Sequence, residues 1–382
     1  MKYWRHKILL IMISDSKKYL YDHSEAKVRL LKEYMSAFLG ILANTKWIKQ
    51  VKLYDLFCGP GIYENGGEGS PIIFLKEIIR AHQFVSNPRN KSTIFNCMFN
   101  DIDPERINKL KENVESLNVD ISKFGSIMFR TEKYKSVLKE VKTEIDGFVN
   151  ERGFVFIDPY GYSEISLQDI KDLTNSGKCE VLLFMPTHHM YRFKDNGTPE
   201  CLMRFLEDLN ICNKIRGVRG LEFIEAVKDG FQSKLGEKLF VDSFVIKRDA
   251  NQFFCLFFFT SNMLGFIKML EAKWKIDKEE GRGWQNNSEF NLFSHTSGAV
   301  INQKLNKLLI SYLKEGPKTS GEIFEFVVRN CFLPKHGTEI LKSITEQIEV
   351  IDSKGAKARK GAFYLSYDNF KRNPSKVIIK LK

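Results

Sequence analysis

Five short apolar runs that alternate with helical patterns are the feature that most constrains the fold of this 382-residue chain. The runs have the length and composition of β-strands and occupy residues 51–57, 94–101, 126–131, 153–159 and 180–186. The segments between them have the apolar spacing of amphipathic helices. Nearly continuous apolar strands that alternate with helices form parallel sheets covered on both faces. The sequence therefore predicts an α/β fold with a doubly wound, mostly parallel sheet.

The next two apolar runs indicate how this sheet ends. They occupy residues 239–249 and 251–262, and only Ala250 separates them. Because a crossover helix does not fit into one residue, we expect an antiparallel hairpin with its turn around residues 249–251. Ahead of the first strand, apolar spacing predicts a leading helix over residues 24–44. Five parallel strands followed by a terminal hairpin resemble the class I methyltransferase fold, a Rossmann-like sheet.

The composition favours a folded protein with more than one domain and an anionic partner. Hydrophobic residues make up 43% of the chain, and the formal net charge is +12, which favours nucleic acid among the possible anions. The seven scattered cysteines include no CxxC pair, so we expect neither a disulfide framework nor a zinc cluster. His188 and His189 are adjacent, should diverge on a strand, and have no third ligand nearby, so no metal is expected. Without a secretion signal or membrane-spanning run, the expected location is the cytoplasm.

The positive charge is concentrated in the last part of the chain. Residues 301–382 carry 16 Lys plus Arg against 8 Asp plus Glu. Three helical patterns precede a β-hairpin predicted over residues 351–368, and this order resembles a winged helix-turn-helix. The basic tip of that hairpin would contact nucleic acid, although a solvated basic hairpin on a packing domain is the plainer alternative. The nucleic-acid-binding candidates are Lys354, Lys357, Arg359 and Lys360.

Four regions follow from these patterns. They are an N-terminal helical segment (1–50), an α/β core (51–275), a linker (276–300) and the basic winged-helix-like domain (301–382).

The first strand ends in a glycine turn, DLFCGPG, that indicates a cofactor site. Gly59 and Gly61 allow a sharp turn beneath a ligand at the carboxyl end of the strand, where open α/β sheets bind nucleotides. Glu64 stands where a dinucleotide fingerprint has its third glycine, and its carboxylate would repel a pyrophosphate. S-adenosylmethionine lacks phosphates, and DLFCGPG resembles the DxFxGxG motif of nucleic-acid methyltransferases. We expect Asp55, Phe57 and the turn to hold its methionine end.

The ends of the second and third strands supply further cofactor candidates. Asp101 is placed to accept both ribose hydroxyls, and Ile102 to lie against the adenine. Asp103 is better explained as the N-cap of the next helix, with Pro104 at its first position. Thr131 would reach the adenine edge. This expectation is based only on its position at the end of the third strand.

The fourth strand ends in Asp158, Pro159 and Tyr160. Amino-directed methyltransferases have an acidic or amide residue, a proline and an aromatic at this point. Asp158 and the Pro159 carbonyl would orient an exocyclic amine, and Tyr160 would stack on the extruded base. DPYG departs from the adenine-type DPPY and is closer to the DPFG of tRNA guanine-N2 methyltransferases, so the target base stays open. The alternative is a helix-capping Asp beside a buried Tyr.

Taken together, the leading helix, the GPG-to-GSP loop, FIDPYGYSEISL and GFIKMLEAKWKID resemble the three-Cys-motif partner family (TcmP) over about residues 20–370. This resemblance implies a methyltransferase-like core with a winged-helix tail in bacteria and archaea. It also implies a three-Cys-motif, radical-SAM-like partner protein.

The sequence leaves two functions to be weighed. The first is a S-adenosylmethionine-dependent methyltransferase that acts on an exocyclic amine of DNA or RNA. The second is a non-catalytic or cofactor-sensing adaptor that binds nucleic acid and recruits the radical-SAM-like partner. A metal-dependent nuclease is a poorer interpretation, because the sequence offers no convincing cluster of acids and lysine.

Overall fold

The computed structural model of the chain describes residues 22–84, 93–195, 198–248, 252–278, 281–285, 297–372 and 374–382. The chain divides into two compact units. The first unit comprises residues up to 265 together with 283–286, and the second comprises 266–282 and 287–382. Each unit contains one sheet within the described residues.

The first unit is built on a sheet of eight strands within the part of the chain that the structure describes. In chain order they are β1 (Gln50–Asp55), β2 (Ile94–Asn100), β3 (Ile127–Arg130), β4 (Glu151–Ile157), β5 (Cys179–Met185), β6 (Phe240–Lys247), β7 (Phe253–Thr260) and β8 (Gly283–Gln285). Their order across the sheet is β3-β2-β1-β4-β5-β7-β6-β8. Strands β1 to β5 run parallel, whereas β7 is antiparallel to both β5 and β6. The predicted mostly parallel α/β sheet and its terminal hairpin are confirmed.

One detail of this sheet differs from the prediction, and one predicted detail cannot be compared with the structure. Strand β8 pairs in parallel with β6, although its residues lie in the predicted linker. The expected hairpin turn at residues 249–251 lies outside the described residues.

Helices precede the sheet and connect its strands. They are α1 (Asp22–Ala43), α2 (Ser70–Gln83), α3 (Pro104–Glu115), α4 (Tyr134–Asp146), α5 (Leu167–Thr174), α6 (Thr187–Phe193), α7 (Glu200–Asp208), α8 (Gly220–Leu235) and α9 (Met263–Ile276). Asp103 caps α3 as predicted, because its Oδ1 accepts a hydrogen bond of 2.9 Å from the Glu105 N–H. His188 and His189 lie on α6 rather than on a strand, and their ring centroids are 5.2 Å apart. The prediction that these side chains diverge is therefore wrong.

The second unit has a sheet of three strands within its described residues. Most of α9 belongs to this unit. Its other helices and strands are α10 (Ser297–Lys314), β9 (Lys318–Thr319), α11 (Ser320–Arg329), α12 (Pro334–Ser343), β10 (Ile348–Asp352), α13 (Tyr367–Phe370) and β11 (Val377–Leu381). Strand β11 is central and antiparallel to both neighbours.

The hairpin predicted over residues 351–368 is wrong in its second strand. The partner of β10 is β11, and residues 353–376 form the connection between them. Phe363 and Leu365 are buried while Tyr364 between them is exposed, which produces the period-two pattern of a strand without strand pairing.

A carboxyl group is buried beneath the sheet of the first unit. Glu180, near the start of β5, accepts hydrogen bonds from the hydroxyl groups of Tyr34 and Thr260. The ring of Tyr34 packs against Phe154 and Phe258, with centroids 5.8 and 5.0 Å away. Burial raises the pKa of Glu180 to about 7, and the two hydroxyl donors only partly oppose this effect.

The stability of the first unit should therefore fall as the pH rises through this range. The protonated Glu180 is favoured in the folded chain, so its contribution is fully present below about pH 4.5 and is lost by about pH 7. We expect Glu180→Gln to remove this pH dependence and to be more stable than the wild type above pH 7, by about 3 kcal/mol at most. Denaturant unfolding as a function of pH measures both effects.

The exposed Glu112 provides the matched control, since Glu112→Gln should leave the wild-type pH dependence in place. An unchanged pH dependence in Glu180→Gln would show that the buried carboxyl does not titrate in this range.

Among the described residues, no helix combines the length and the apolar character needed to cross a membrane.

Candidate functional site

The turn after β1 brings the backbone close to the ends of β2 and β4. The Leu56 N–H donates to the Phe156 carbonyl at 3.1 Å, and the Cys58 N–H donates to the Asn100 carbonyl at 2.8 Å. Gly59 and Gly61 have φ angles of 60° and 78°, which other residues rarely adopt. A Cβ on Gly61 would also lie 2.5 Å from Leu110 Cδ1. Both positions of this turn therefore favour glycine, as the motif predicts.

The carboxylate of Asp101 joins this turn to the end of β4. One oxygen, Oδ2, accepts hydrogen bonds from the Gly59 N–H at 3.1 Å and from the Tyr160 hydroxyl at 3.0 Å. The other oxygen accepts the Asp103 N–H at 3.0 Å. Asp101 is fully buried, and Arg106 Nη1 lies 3.7 Å from its Oδ2. The predicted ribose acceptor thus already holds protein donors, and a ligand would have to replace some of them.

The ring of Tyr160 contacts one cationic and one aromatic side chain. The Arg106 guanidinium carbon is 5.0 Å from the centroid of the Tyr160 ring, and the ring of Phe57 meets Tyr160 edge-on at 6.2 Å. Phe57 also stacks on Tyr134 at 5.3 Å. The predicted base-stacking residue therefore packs over the predicted cofactor residues.

Asp158 at the end of β4 forms a buried ion pair with the leading helix. Lys27 Nζ on α1 lies 2.5 Å from Asp158 Oδ2, and both residues are less than 10% exposed. Burial, the largest single effect, lowers the pKa of Lys27, but Asp158, Tyr63 and Asp55 together outweigh it, so the pKa is raised. The Lys27 ammonium also lies 4.6 Å from the centroid of the Phe184 ring. A permanent cation therefore stands beside the predicted amine acceptor.

Asp55 and Tyr63 belong to the same electrostatic group. Asp55 is fully buried at the end of β1, and its Oδ1 accepts the Phe57 N–H at 3.3 Å. Burial raises the pKa of Tyr63; the Lys27 ammonium opposes this effect, while Asp158 and Asp55 add to it. The side chains of Lys27, Asp158, Asp55 and Tyr63 thus interact electrostatically with one another. The tips of β1 and β4 and the helix α1 therefore contribute to one site, next to Asp101 at the tip of β2.

The other predicted site residues differ in their surroundings. Pro159 is buried next to Asp158. Ile102 directly follows Asp101 and is 58% exposed, so its side chain is available to a flat ligand. Thr131 is exposed beyond the end of β3 and has no described contact that joins it to this group. The predicted nucleic-acid-binding residues lie in the second unit, exposed on the segment that connects β10 to β11; they are Lys354, Lys357, Arg359 and Lys360.

Neither Lys27 nor Arg106 is among the site residues predicted from the sequence. Lys27 shares a helix face with the apolar residues of α1, and a lysine on a buried face is a signal for a buried ionic partner. Arg106 lies three residues after Asp103 on α3, and this spacing first indicates a local ion pair, which forms at 3.4 Å. Its contact with Asp101 follows only from the fold.

Comparisons with known proteins give no family assignment. No protein-family model matches the chain. No curated protein matches it. Among solved structures, the O-methyltransferase from Bacillus cereus in complex with SAH is similar at 11% identity over 66% of this chain and 89% of that chain, with a TM-score of 0.34. The hMettl16 catalytic domain in complex with MAT2A 3′UTR hairpin 1 is also 11% identical, over 58% and 66% of the two chains, with a TM-score of 0.24. At these TM-scores, neither likeness bears on the fold or activity of this chain.

Among the described residues, no group of three or more His, Cys, Asp or Glu side chains is arranged to hold a metal ion.

The ion pair between Lys27 and Asp158 predicts a strong thermodynamic coupling. Lys27→Met leaves the Asp158 carboxylate buried without this cation, so we expect a loss of about 3–5 kcal/mol in the free energy of unfolding. Asp158→Asn in the Lys27→Met background removes the buried charge and should restore part of that stability. A double-mutant cycle in denaturant measures the coupling.

The exposed pair between Lys109 and Glu112 is the control, because its nitrogen and oxygen are 2.9 Å apart on the helix surface. There, Lys109→Met should change the stability by about 0.5 kcal/mol or less. Additive effects of the Lys27 and Asp158 substitutions would contradict the coupling.

Proposed function

We propose that the chain is a S-adenosylmethionine-dependent methyltransferase that acts on an exocyclic amine of nucleic acid. The observation that carries the proposal is the meeting of three buried strand-end carboxylates around one glycine turn. They belong to Asp55, Asp101 and Asp158. Ligands of open α/β sheets bind outside the carboxyl ends of the strands, where the strand order reverses between β1 and β4.

The cofactor is proposed to lie along the turn after β1. The backbone at Gly59 and Gly61 would lie beneath its methionine end, and Asp55 would attract the ammonium group from within the sheet. Asp101 would accept the ribose hydroxyls, which act as donors to a carboxylate. The exposed Ile102 would pack against the adenine. Phe57 would contribute to the floor of the site, and Thr131 would lie toward the adenine edge.

Tyr160 couples cofactor binding to substrate binding in this proposal. Its hydroxyl donates to the Asp101 oxygen that the ribose would use. A ribose hydroxyl that replaced it would release the Tyr160 ring, which could then turn to stack on an extruded base. The cofactor would therefore bind before the base, and the stacking residue would be available only in the loaded protein.

Asp158 is proposed to position the nucleophile. Its carboxylate and the Pro159 carbonyl would accept hydrogen bonds from the amine, so that the nitrogen lone pair points at the methyl carbon. In the transfer, a bond forms between nitrogen and carbon, the carbon–sulfur bond breaks with its electron pair left on sulfur, and the nitrogen loses a proton to solvent. Lys27 would hold Asp158 in place throughout.

The second unit is proposed to be a winged helix-turn-helix that binds the nucleic acid. The order helix, strand, two helices, strand, connection and strand supports this assignment, as does the central position of β11 between β10 and β9. The exposed basic residues of the connection would supply phosphate contacts; they are Lys354, Lys357, Arg359 and Lys360.

Membership of the three-Cys-motif partner family remains part of the proposal. The radical-SAM-like partner and the cytoplasmic location rest on that resemblance and on the composition of the chain. The target base and the choice between DNA and RNA are outcomes for experiment.

Calorimetry with S-adenosylmethionine and S-adenosylhomocysteine tests the cofactor site before any substrate is known. We expect both to bind the wild type, and Asp101→Asn to weaken binding because an acceptor for the ribose loses its charge. Tyr160→Phe should tighten binding by about tenfold at most, since the competing hydroxyl is removed. The matched control is Tyr54→Phe, because the Tyr54 hydroxyl donates to Glu144 at 2.7 Å and not to Asp101. This variant should bind the cofactor like the wild type.

Transfer of a labelled methyl group from the cofactor to pools of DNA and of RNA then tests the reaction, with Asp158→Ala as the inactive variant. Equal affinity of the wild type, Asp101→Asn and Tyr160→Phe would contradict the assigned ribose position.

The adaptor remains the second candidate, because Asp101 and Asp158 are already engaged by Tyr160 and Lys27. A site with satisfied carboxylates can stabilise a scaffold without a ligand. If no cofactor binding is detected at millimolar concentration, the methyltransferase hypothesis is excluded and the adaptor hypothesis is supported.

A further inference from the structure

The connection between β10 and β11 combines positive charge with aromatic rings. Residues 353–376 contain seven Lys and Arg and a single acid, Asp368. Two tyrosines, Tyr364 and Tyr367, lie in the same segment. Basic grooves with interleaved aromatic side chains are typical of proteins that bind single-stranded nucleic acid, whose phosphates contact the cations and whose bases stack on the rings.

The aromatic part of this segment is held in place by its neighbours. Phe363 and Leu365 are 2% and 9% exposed. Phe370 stacks on Phe324 of α11 with ring centroids 5.2 Å apart. Ser366 accepts the Asn369 side-chain N–H at 2.7 Å and caps the short helix α13. The tyrosines are therefore presented from a fixed backbone, which reduces the entropy lost when a base stacks on them.

Tyr364 is turned outward in a strained conformation. It stands between the buried Phe363 and Leu365, is 39% exposed, and has a φ angle of 55°. This left-handed region is unfavourable for a bulky residue, and such strain persists where the surrounding contacts enforce it. Packing of the two neighbours turns the ring outward, so that more than a third of the residue stays exposed to solvent.

Each tyrosine ring has an ammonium group over one of its faces. Lys376 Nζ lies 4.4 Å from the centroid of the Tyr364 ring, and Lys371 Nζ lies 4.2 Å from that of Tyr367, which also stacks on Phe370 at 6.5 Å. A ring paired with a cation matches a nucleotide, because the base offers a flat face and the phosphate beside it carries a negative charge. The remaining basic residues of the segment extend the same charge pattern along the chain.

We propose that this segment binds unpaired nucleotides of single-stranded nucleic acid, with Tyr364 and Tyr367 as stacking platforms. The faces of a base inside a duplex are covered by its neighbours, so the exposed ring of Tyr364 and the half-buried ring of Tyr367 would select strands whose bases are unstacked. This inference specifies the nucleic acid of the proposed function as single-stranded. It requires neither cofactor binding nor methyl transfer, so the two can fail separately.

Fluorescence anisotropy of the full chain with labelled oligonucleotides of about 16 nucleotides tests the proposal. Single-stranded DNA and RNA are compared with the duplex of the same sequence at one salt concentration. We expect the single strand to bind more tightly than the duplex, and Tyr364→Ala to weaken only the binding of the single strand, by about tenfold. Lys357→Ala should weaken both to a similar degree, because phosphate contacts do not distinguish them.

Two further variants separate stacking from damage to the fold. Tyr364→Phe keeps the ring and should bind like the wild type. Tyr364→Gly removes the ring but suits the left-handed backbone, so it should still unfold in one cooperative thermal transition while single-strand binding weakens. Wild-type binding by Tyr364→Gly, equal affinity for duplex and single strand, or no binding of either would each overturn the proposal. Calorimetry with S-adenosylmethionine reports separately on the first unit.

Discussion

The hydrogen bonds that Asp101 accepts hold the candidate site together. They are needed because a buried carboxylate without hydrogen-bond donors is unfavourable. Its oxygens accept the backbone N–H of the glycine turn, the N–H of Asp103 and the hydroxyl of Tyr160. Because loss of a donor to a buried charge is costly, these contacts fix the tips of β1, β2 and β4 relative to each other. A ligand that displaces one of these donors must supply another hydrogen-bond donor to Asp101. Ribose hydroxyls can do this, because they donate to a carboxylate.

The leading helix is part of the site and not only a cover for the sheet. Lys27 reaches Asp158 across 131 positions of sequence, and this pair places a fixed positive charge beside the predicted acceptor. The ion pair can serve either candidate function, since it orders the acceptor in an enzyme and stabilises the end of β4 in a scaffold. Absence of cofactor binding would exclude the enzyme. A cofactor-sensing adaptor would also bind the cofactor, so methyl transfer is needed to distinguish it from the enzyme.

The sequence predicted the framework better than the contacts within it. Parallel strands and the hairpin follow from local apolar patterns, and the sheet topology then brings Asp55, Asp101 and Asp158 to one edge. The pairing of Lys27 with Asp158 and of Tyr160 with Asp101 depends on how distant side chains pack, which no local pattern encodes. The connection between β10 and β11 shows the opposite error. The alternation of buried and exposed residues around Tyr364 resembles a strand, but Phe363 and Leu365 are buried without strand pairing.

A crystal structure of the chain with S-adenosylhomocysteine tests the central claim most directly. The account predicts the ribose hydroxyls within hydrogen-bond distance of Asp101, and the hydroxyl of Tyr160 displaced from that carboxylate. It also predicts that Lys27 stays paired with Asp158, because this pair lies at the acceptor and not at the ribose. A complex in which Tyr160 still donates to Asp101 while the nucleoside binds elsewhere would contradict the account.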